Sequence, residues 1–275
     1  MNNKIKTLIM ISTFIFCHYV MKYFWGESWS EALLVMDQQS YLLLTPASYL
    51  FKYSLLILAA SLLFRDVSLQ EILGLKIEGF EHYFKAAVAC CLPMILGYAY
   101  LSNELNLALS GIMVGSVYAG VFEEILFRAV LFGVLFRYCR LGFIPSALVS
   151  SVIFGLGHIY QGHDLMSAFA AFAITSLAGT WFAWLFCESG YRIWFPLWMH
   201  IFMNAAYGIF SMSGGAAGDL EGNIFKASAI SLSLVYIHLL VRRGKKREIT
   251  LKSLWKNRSD ETLILHQQFN GHKGD

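Results

Sequence analysis

The sequence predicts an all-α fold, a polytopic transmembrane helical bundle of about eight spans. Three observations lead there. Of 275 residues, 57% are hydrophobic and only 14% charged, against about 25% charged in an average soluble domain, which is too few to cover a water-facing surface. Apolar runs recur along most of the chain, each long enough to cross or nearly cross a hydrocarbon core of about 30 Å. The Lys and Arg residues between the runs fall almost entirely on one side of the resulting ladder, as the positive-inside rule requires. Ordinary cytosolic enzymes, disordered chains and secreted disulfide scaffolds are excluded by this composition.

The apolar runs lie at 5–24, 41–64, 84–101, 105–138, 142–160, 165–187, 193–212 and 224–241. The first follows Lys4 and Lys6 but has no small-x-small cleavage site behind it, so it reads as a retained span rather than a signal peptide. Phe14-Ile15-Phe16 ahead of Cys17 is too bulky for a lipoprotein box. The second run contains Lys52, which needs either a polar cavity or a membrane entry delayed to Pro46. The fourth is too long for a straight crossing, near 50 Å at about 1.5 Å per residue. It must tilt, break or continue past the bilayer, and Gly111, Gly115 and Gly120 are its candidate break or close-packing points.

Eight spans put both termini on one side. That side collects Lys4, Lys6, Arg65, Lys76, Lys85, Arg137, Arg140, Arg192 and the run Arg242, Arg243, Lys245, Lys246, Arg247; the other holds Lys22 and Lys226. Both termini are therefore expected in the cytoplasm, in a multi-pass protein of the cell membrane, with the acidic loop of Glu27, Glu31 and Asp37 outside. Residues 1–244 read as one transmembrane domain. Residues 245–275 read as a polar, mobile cytoplasmic tail with a short surface helix near Leu251–Trp255, and the Gly-rich stretch 214–222 as an outer loop. The five cysteines sit in or beside apolar runs with no CxxC pair, so neither a disulfide framework nor a zinc knuckle is indicated. The basic run abuts a span, where anionic lipid is the nearer partner, and no nucleic-acid binding is expected. Nothing in the sequence sets an oligomeric state.

Ionisable groups inside spans are costly and mark function by default. They are few: Glu123, Glu124 and Arg128 in the fourth run, His158 in the fifth after Phe154, and His200 with Asn204 in the seventh, besides His18, Lys52 and His238. Glu124 and Arg128 are i,i+4, which places carboxylate and guanidinium on one helix face. Glu123 is turned about 100° away and stays available to another partner. His200 and Asn204 are also i,i+4, side by side as two neutral hydrogen-bond donors, and His158 adds an imidazole from a third helix. A carboxylate, a histidine and a donor pair are the parts needed to activate water and hold the oxyanion it creates on a carbonyl. The plain alternatives are a structural ion cluster for Glu123, Glu124 and Arg128, and interhelical hydrogen bonding for the histidines and Asn204. Phe154 reads as packing, His18 and His238 as interfacial, and Trp181, Trp184, Trp194 and Trp198 as an interfacial aromatic belt.

At these residues the chain resembles the CPBP family of intramembrane proteases, which includes CAAX prenyl endopeptidases and bacteriocin-processing or self-immunity (Abi-like) proteins. The family pattern EExxxR, FxxxH and HxxxN stands here as Glu123-Glu124-Ile-Leu-Phe-Arg128, Phe154-Gly-Leu-Gly-His158 and His200-Ile-Phe-Met-Asn204. The likeness covers roughly 115–208, the expected catalytic core. It implies a glutamate-dependent intramembrane endopeptidase acting on a membrane-associated protein or peptide: Glu123 and His158 activate water, His200 and Asn204 form the oxyanion hole, and Glu124, Arg128 and Phe154 support. No cofactor is expected. The first rival is a zinc protease built from the same residues, since two histidines and a glutamate with an open position can hold catalytic zinc. The absence of HExxH and the poor ligand quality of Asn204 weigh against it. A proton-coupled transporter, disfavoured by the lack of inverted repeats, and a non-cleaving binding or immunity protein are the others. One tension remains: in parallel spans, His158 lies about 14 Å deeper than His200 at about 1.5 Å per residue.

Overall fold

The computed structural model describes residues 1–21, 36–213 and 218–257. Lys22, Glu27, Glu31, residues 214–217 and 258–275 lie outside the described residues. All regular structure among the described residues is helical. Helix α1 is Asn3–Ile15, continued by a π turn Phe16–Val20; α2 is Gln38–Leu63; the short α3 is Leu69–Ile72; α4 is Phe80–Leu101. The long α5 is one continuous path through Leu109–Ile112, a π segment Met113–Tyr118, Ala119–Glu123 and a second π segment Glu124–Tyr138. Then follow α6 (Phe143–Leu156), α7 (Leu165–Glu188), α8 (Trp194–Ile209) and α9 (Leu220–Arg242). Each apolar run of the sequence therefore corresponds to a long helix. Five, namely α2, α4, α6 extended to Gln161, α7 and α9, are long and apolar enough to cross a membrane. The bundle is polytopic.

Local chemistry sets the boundaries. The Asp37 carboxylate caps α2 by accepting from the amides of Gln39 and Ser40, and Asp164 caps α7 in a reciprocal box with Ser167. Because α2 starts at that cap, Pro46 lies inside the helix and does not open it. Lys52 sits on this continuous helix with its ammonium 5.0 Å from the Tyr53 ring, an amphipathic placement rather than a delayed start. The long α5 does not break at glycine. A Cβ on Gly111 or Gly115 would meet nothing within 4 Å, whereas Gly120 lets α5 meet α8 so tightly that a Cβ would fall 2.6 Å from Ile201.

The core is organised around α5, which is buried on every side from Leu126 to Phe136 and so has the all-round apolar character of an interior helix. On one flank, α1, α2 and α6 bring Met10, Phe14, Leu56 and Phe154 against Phe127 and Val130. On another, α6, α7 and α8 bring Ala147, Phe186 and Leu197 against Phe132 and Phe136. A second core joins α4, α7, α8 and α9 through Tyr83, Met94, Phe182, Phe195 and Ile237. Both described termini lie at one end: Lys6 stands 4.5 Å over the Phe64 ring, Phe64 packs on Tyr138, and Asn257 bonds the carbonyls of Phe136 and Arg140. An even number of long helices produces this.

The start of the expected tail is not detached. Residues 245–257 fold back on the bundle: Ile249 donates its amide to Glu188, Tyr191 its hydroxyl to Glu248, and Leu141 pairs with Lys256. Within this strap, Leu251–Ser253 forms a 3₁₀ turn that leaves Leu251 and Trp255 exposed.

Candidate active site

Where α5 meets α8, the two consecutive glutamates have different surroundings. Glu124 is fully buried and Glu123 is 21% exposed. His200 Nδ1 donates to Glu124 Oε1 at 2.7 Å, and Arg128 Nε stands 3.3 Å from Glu124 Oε2. The i,i+4 pair of the sequence is thus present in space, and its carboxylate is shared with an imidazole 76 residues away. On the far side of that ring, His200 Nε2 faces Glu123 Oε2 at 3.7 Å, outside hydrogen-bond range. His200 therefore stands between the two carboxylates, bonded to one and presented to the other.

Arg128 is 1% exposed, and neither Nη1 nor Nη2 has a hydrogen-bond partner among the described residues. Three aromatic faces enclose the guanidinium instead: Phe154 at 4.3 Å, Phe182 at 5.1 Å and Phe127 at 5.9 Å from Cζ. Aromatic faces attract a desolvated cation. Two of these rings also carry the histidines, since Phe182 stacks on His200 at 5.2 Å and Phe154 lies 4.5 Å from His158. Phe154 packs, as its sequence suggests, and its packing joins the arginine to a site histidine.

His158 follows the last residue of α6 and its C-cap, Gly157. Its Nδ1 donates to the Phe154 carbonyl at 2.7 Å, which leaves Nε2 as the nitrogen with the lone pair in the neutral ring. No hydrogen bond or ion pair among the described residues joins His158 to Glu123 or His200. The rings around Arg128 stand beside both histidines, Phe154 at His158 and Phe182 at His200. Asn204 donates Nδ2 to the Gly115 carbonyl at 3.1 Å, so its amide is anchored on the π segment of α5. Among the described residues, no three His, Cys, Asp or Glu side chains converge as a metal site.

Sequence reasoning missed a polar pair next to this cluster. His18, read as interfacial, lies on the π turn of α1 and is hydrogen-bonded through Nδ1 to Tyr53 Oη at 2.7 Å, while Tyr49 stacks on Phe122, the residue before Glu123, at 4.6 Å. The available signal was a histidine within the first run and two tyrosines i,i+4 within the second.

Residues 105–206 match the family described as Type II CAAX prenyl endopeptidase Rce1-like, and this stretch contains all three motifs. The core of the chain is similar to this protease family. Over 93 residues the chain is also 37% identical to a Bacillus subtilis (strain 168) protein named "Putative membrane peptidase YdiL". That alignment takes in 34% of this chain and 34% of the relative, so the chain spans about a third of the length of the curated protein it matches. No solved structure matches. With the membrane-peptidase likeness and its spanning helices, the chain is an integral membrane protein.

Proposed function

We propose that the protein is an intramembrane endopeptidase of glutamate-dependent mechanism, acting on a membrane-associated protein or peptide. The observation that carries the reading is the division of labour between the glutamates: Glu124 is consumed by Arg128 and His200, and Glu123 keeps a partly exposed carboxylate facing a histidine. In this mechanism Glu123, with His158 Nε2 beside the same water, removes its proton as the oxygen adds to the scissile carbonyl. The proton then passes to the leaving nitrogen. His200 and Asn204 donate to the oxyanion. Since His200 Nδ1–H is given to Glu124, donation from Nε2 requires a second ring proton, at the nitrogen that stands 3.7 Å from Glu123 Oε2. Glu124 and Arg128 hold the imidazole in place.

The reading uses no metal. It is supported by the chemistry of Asn204, which is a better hydrogen-bond donor than metal ligand. The end carrying both described termini is read as cytoplasmic on its excess of Lys and Arg. A fluorescence-quenched peptide with an S-farnesyl cysteine is the first substrate probe, because the matched family is one of prenyl endopeptidases. Cleavage should continue after exhaustive dialysis against a chelator, and Glu123→Gln should slow it by about 10²–10⁴-fold, the usual cost of losing an acid–base group. Metal-dependent recovery of activity would favour the zinc mechanism.

A further inference from the structure

Three π segments occur among the described residues, Phe16–Val20, Met113–Tyr118 and Glu124–Tyr138. Such widened turns collect at functional sites. Two of them carry parts of the candidate site: the last holds Glu124 and Arg128, and the middle one presents the Gly115 carbonyl to Asn204. The third holds His18, in α1, outside the residues that match the protease family.

The surroundings of His18 point the same way. Its ring stacks on Phe14 at 5.6 Å and meets Phe127 edge-on at 5.7 Å, and Phe127 in turn meets Phe154, the ring beside His158. Nδ1 is bonded to Tyr53 Oη. Nε2 approaches the end of α6 so that a Cβ on Gly157 would lie 3.7 Å from it, in a spot shared with the carbonyls of Phe154 and Ile153. These are last-turn carbonyls, the negative end of the helix dipole. A Tyr53 hydroxyl donating to Nδ1 places the imidazole proton on Nε2, where that field favours it. The Phe154 carbonyl is also the acceptor that orients His158.

We propose that His18, set by Tyr53, is a positioning residue for the hydrolytic site, holding the terminal turn of α6 and through it the ring of His158. The N-terminal helices thereby supply part of the active site that the matched segment lacks. The proposal rests on the endopeptidase reading only for its kinetic consequence.

The test uses the full chain in nanodiscs and two readouts. With the farnesylated quenched peptide, Tyr53→Phe should lower kcat about tenfold with KM within about twofold and the melting temperature unchanged, the scale expected when one orienting hydrogen bond is lost. His18→Ala should lower kcat further, His18→Gln should restore part of it, and the double variant His18→Ala/Tyr53→Phe should be no worse than His18→Ala, because the two act as one unit. Independently of cleavage, the ¹⁵N ring signals of His158, assigned with His158→Gln, should shift toward a mixed tautomer population in His18→Ala. Additive kinetic losses that track lost stability, together with unchanged His158 signals, would overturn the proposal. If wild type does not cleave the peptide, the protease reading fails for that substrate, and the His158 spectrum alone decides the positioning role.

Discussion

The protein contains two ionic clusters, each built around a buried glutamate, Glu188 in one and Glu124 in the other, and they are finished differently. At the end carrying the termini, Glu188 accepts from the amides of Glu248 and Ile249, Lys245 donates to the Glu188 carbonyl and to Tyr83, and Tyr191 donates to Glu248. Burial pulls the Lys245 ammonium below its ordinary pKa against the opposing pull of the two carboxylates, and pushes the Tyr191 phenol up. Each charged group there has partners. In the cluster between α5 and α8, Glu124 satisfies His200 and stands beside Arg128, but none of the three guanidinium nitrogens has a hydrogen bond among the described residues and Glu123 remains outside the pairing. Buried polar groups are normally satisfied, and exceptions concentrate where function needs them. The completed network is a fastening, and the incomplete one is where the proposed chemistry is placed.

The largest effect that would sharpen this contrast comes from Arg128→Leu. It deprives the fully buried Glu124 carboxylate of its guanidinium partner, and breaking a buried pair in this way costs about 3–5 kcal/mol. Yield in the membrane and thermal stability should both fall steeply; normal values would mean that Glu124 is neutral or otherwise paired. A smaller loss is expected from Glu188→Leu, which removes the acceptor of two backbone amides at about 1–3 kcal/mol. Limited proteolysis should then reach the 245–257 strap while peptide cleavage continues at the wild-type rate, since the strap contributes nothing to the site. If cleavage fell with the strap released, the two clusters would be coupled and the contrast would fail. Least of all, Asp164→Ala, which opens the capping box of α7, should cost about 1 kcal/mol, visible as a modest drop in melting temperature with unaltered kcat.

Periodicity and charge made most of the fold legible. The apolar runs anticipate the long helices to within a few residues, and their even number agrees with Lys6 and Asn257 lying at one end. Within one helix, i,i+4 spacing also identified the Glu124–Arg128 pair. Contacts between helices were not legible in the same way, because helical spacing says which residues share a face and nothing about which face of another helix it meets. For that reason the sharing of Glu124 with His200, the aromatic enclosure of Arg128 and the His18–Tyr53 bond emerge only in three dimensions. The contacts of the strap were not legible because its polar composition resembles a solvated tail; its partners Glu188 and Tyr191 lie at the turn between α7 and α8, far away in sequence.

The central claim is that adjacent glutamates do different work, and the most direct measurement is a paired one. Glu123→Gln and Glu124→Gln are compared in the same membrane preparation for melting temperature and for cleavage of the farnesylated peptide. The account predicts that Glu123→Gln melts like the wild type and cleaves hundreds of times more slowly or not at all, within the about 10²–10⁴-fold loss of an acid–base group. Glu124→Gln should instead lose about 3–5 kcal/mol of stability through an uncompensated Arg128. A stable Glu124→Gln that is catalytically dead beside an active Glu123→Gln would reverse the assignment, and normal cleavage by both variants would contradict the glutamate mechanism.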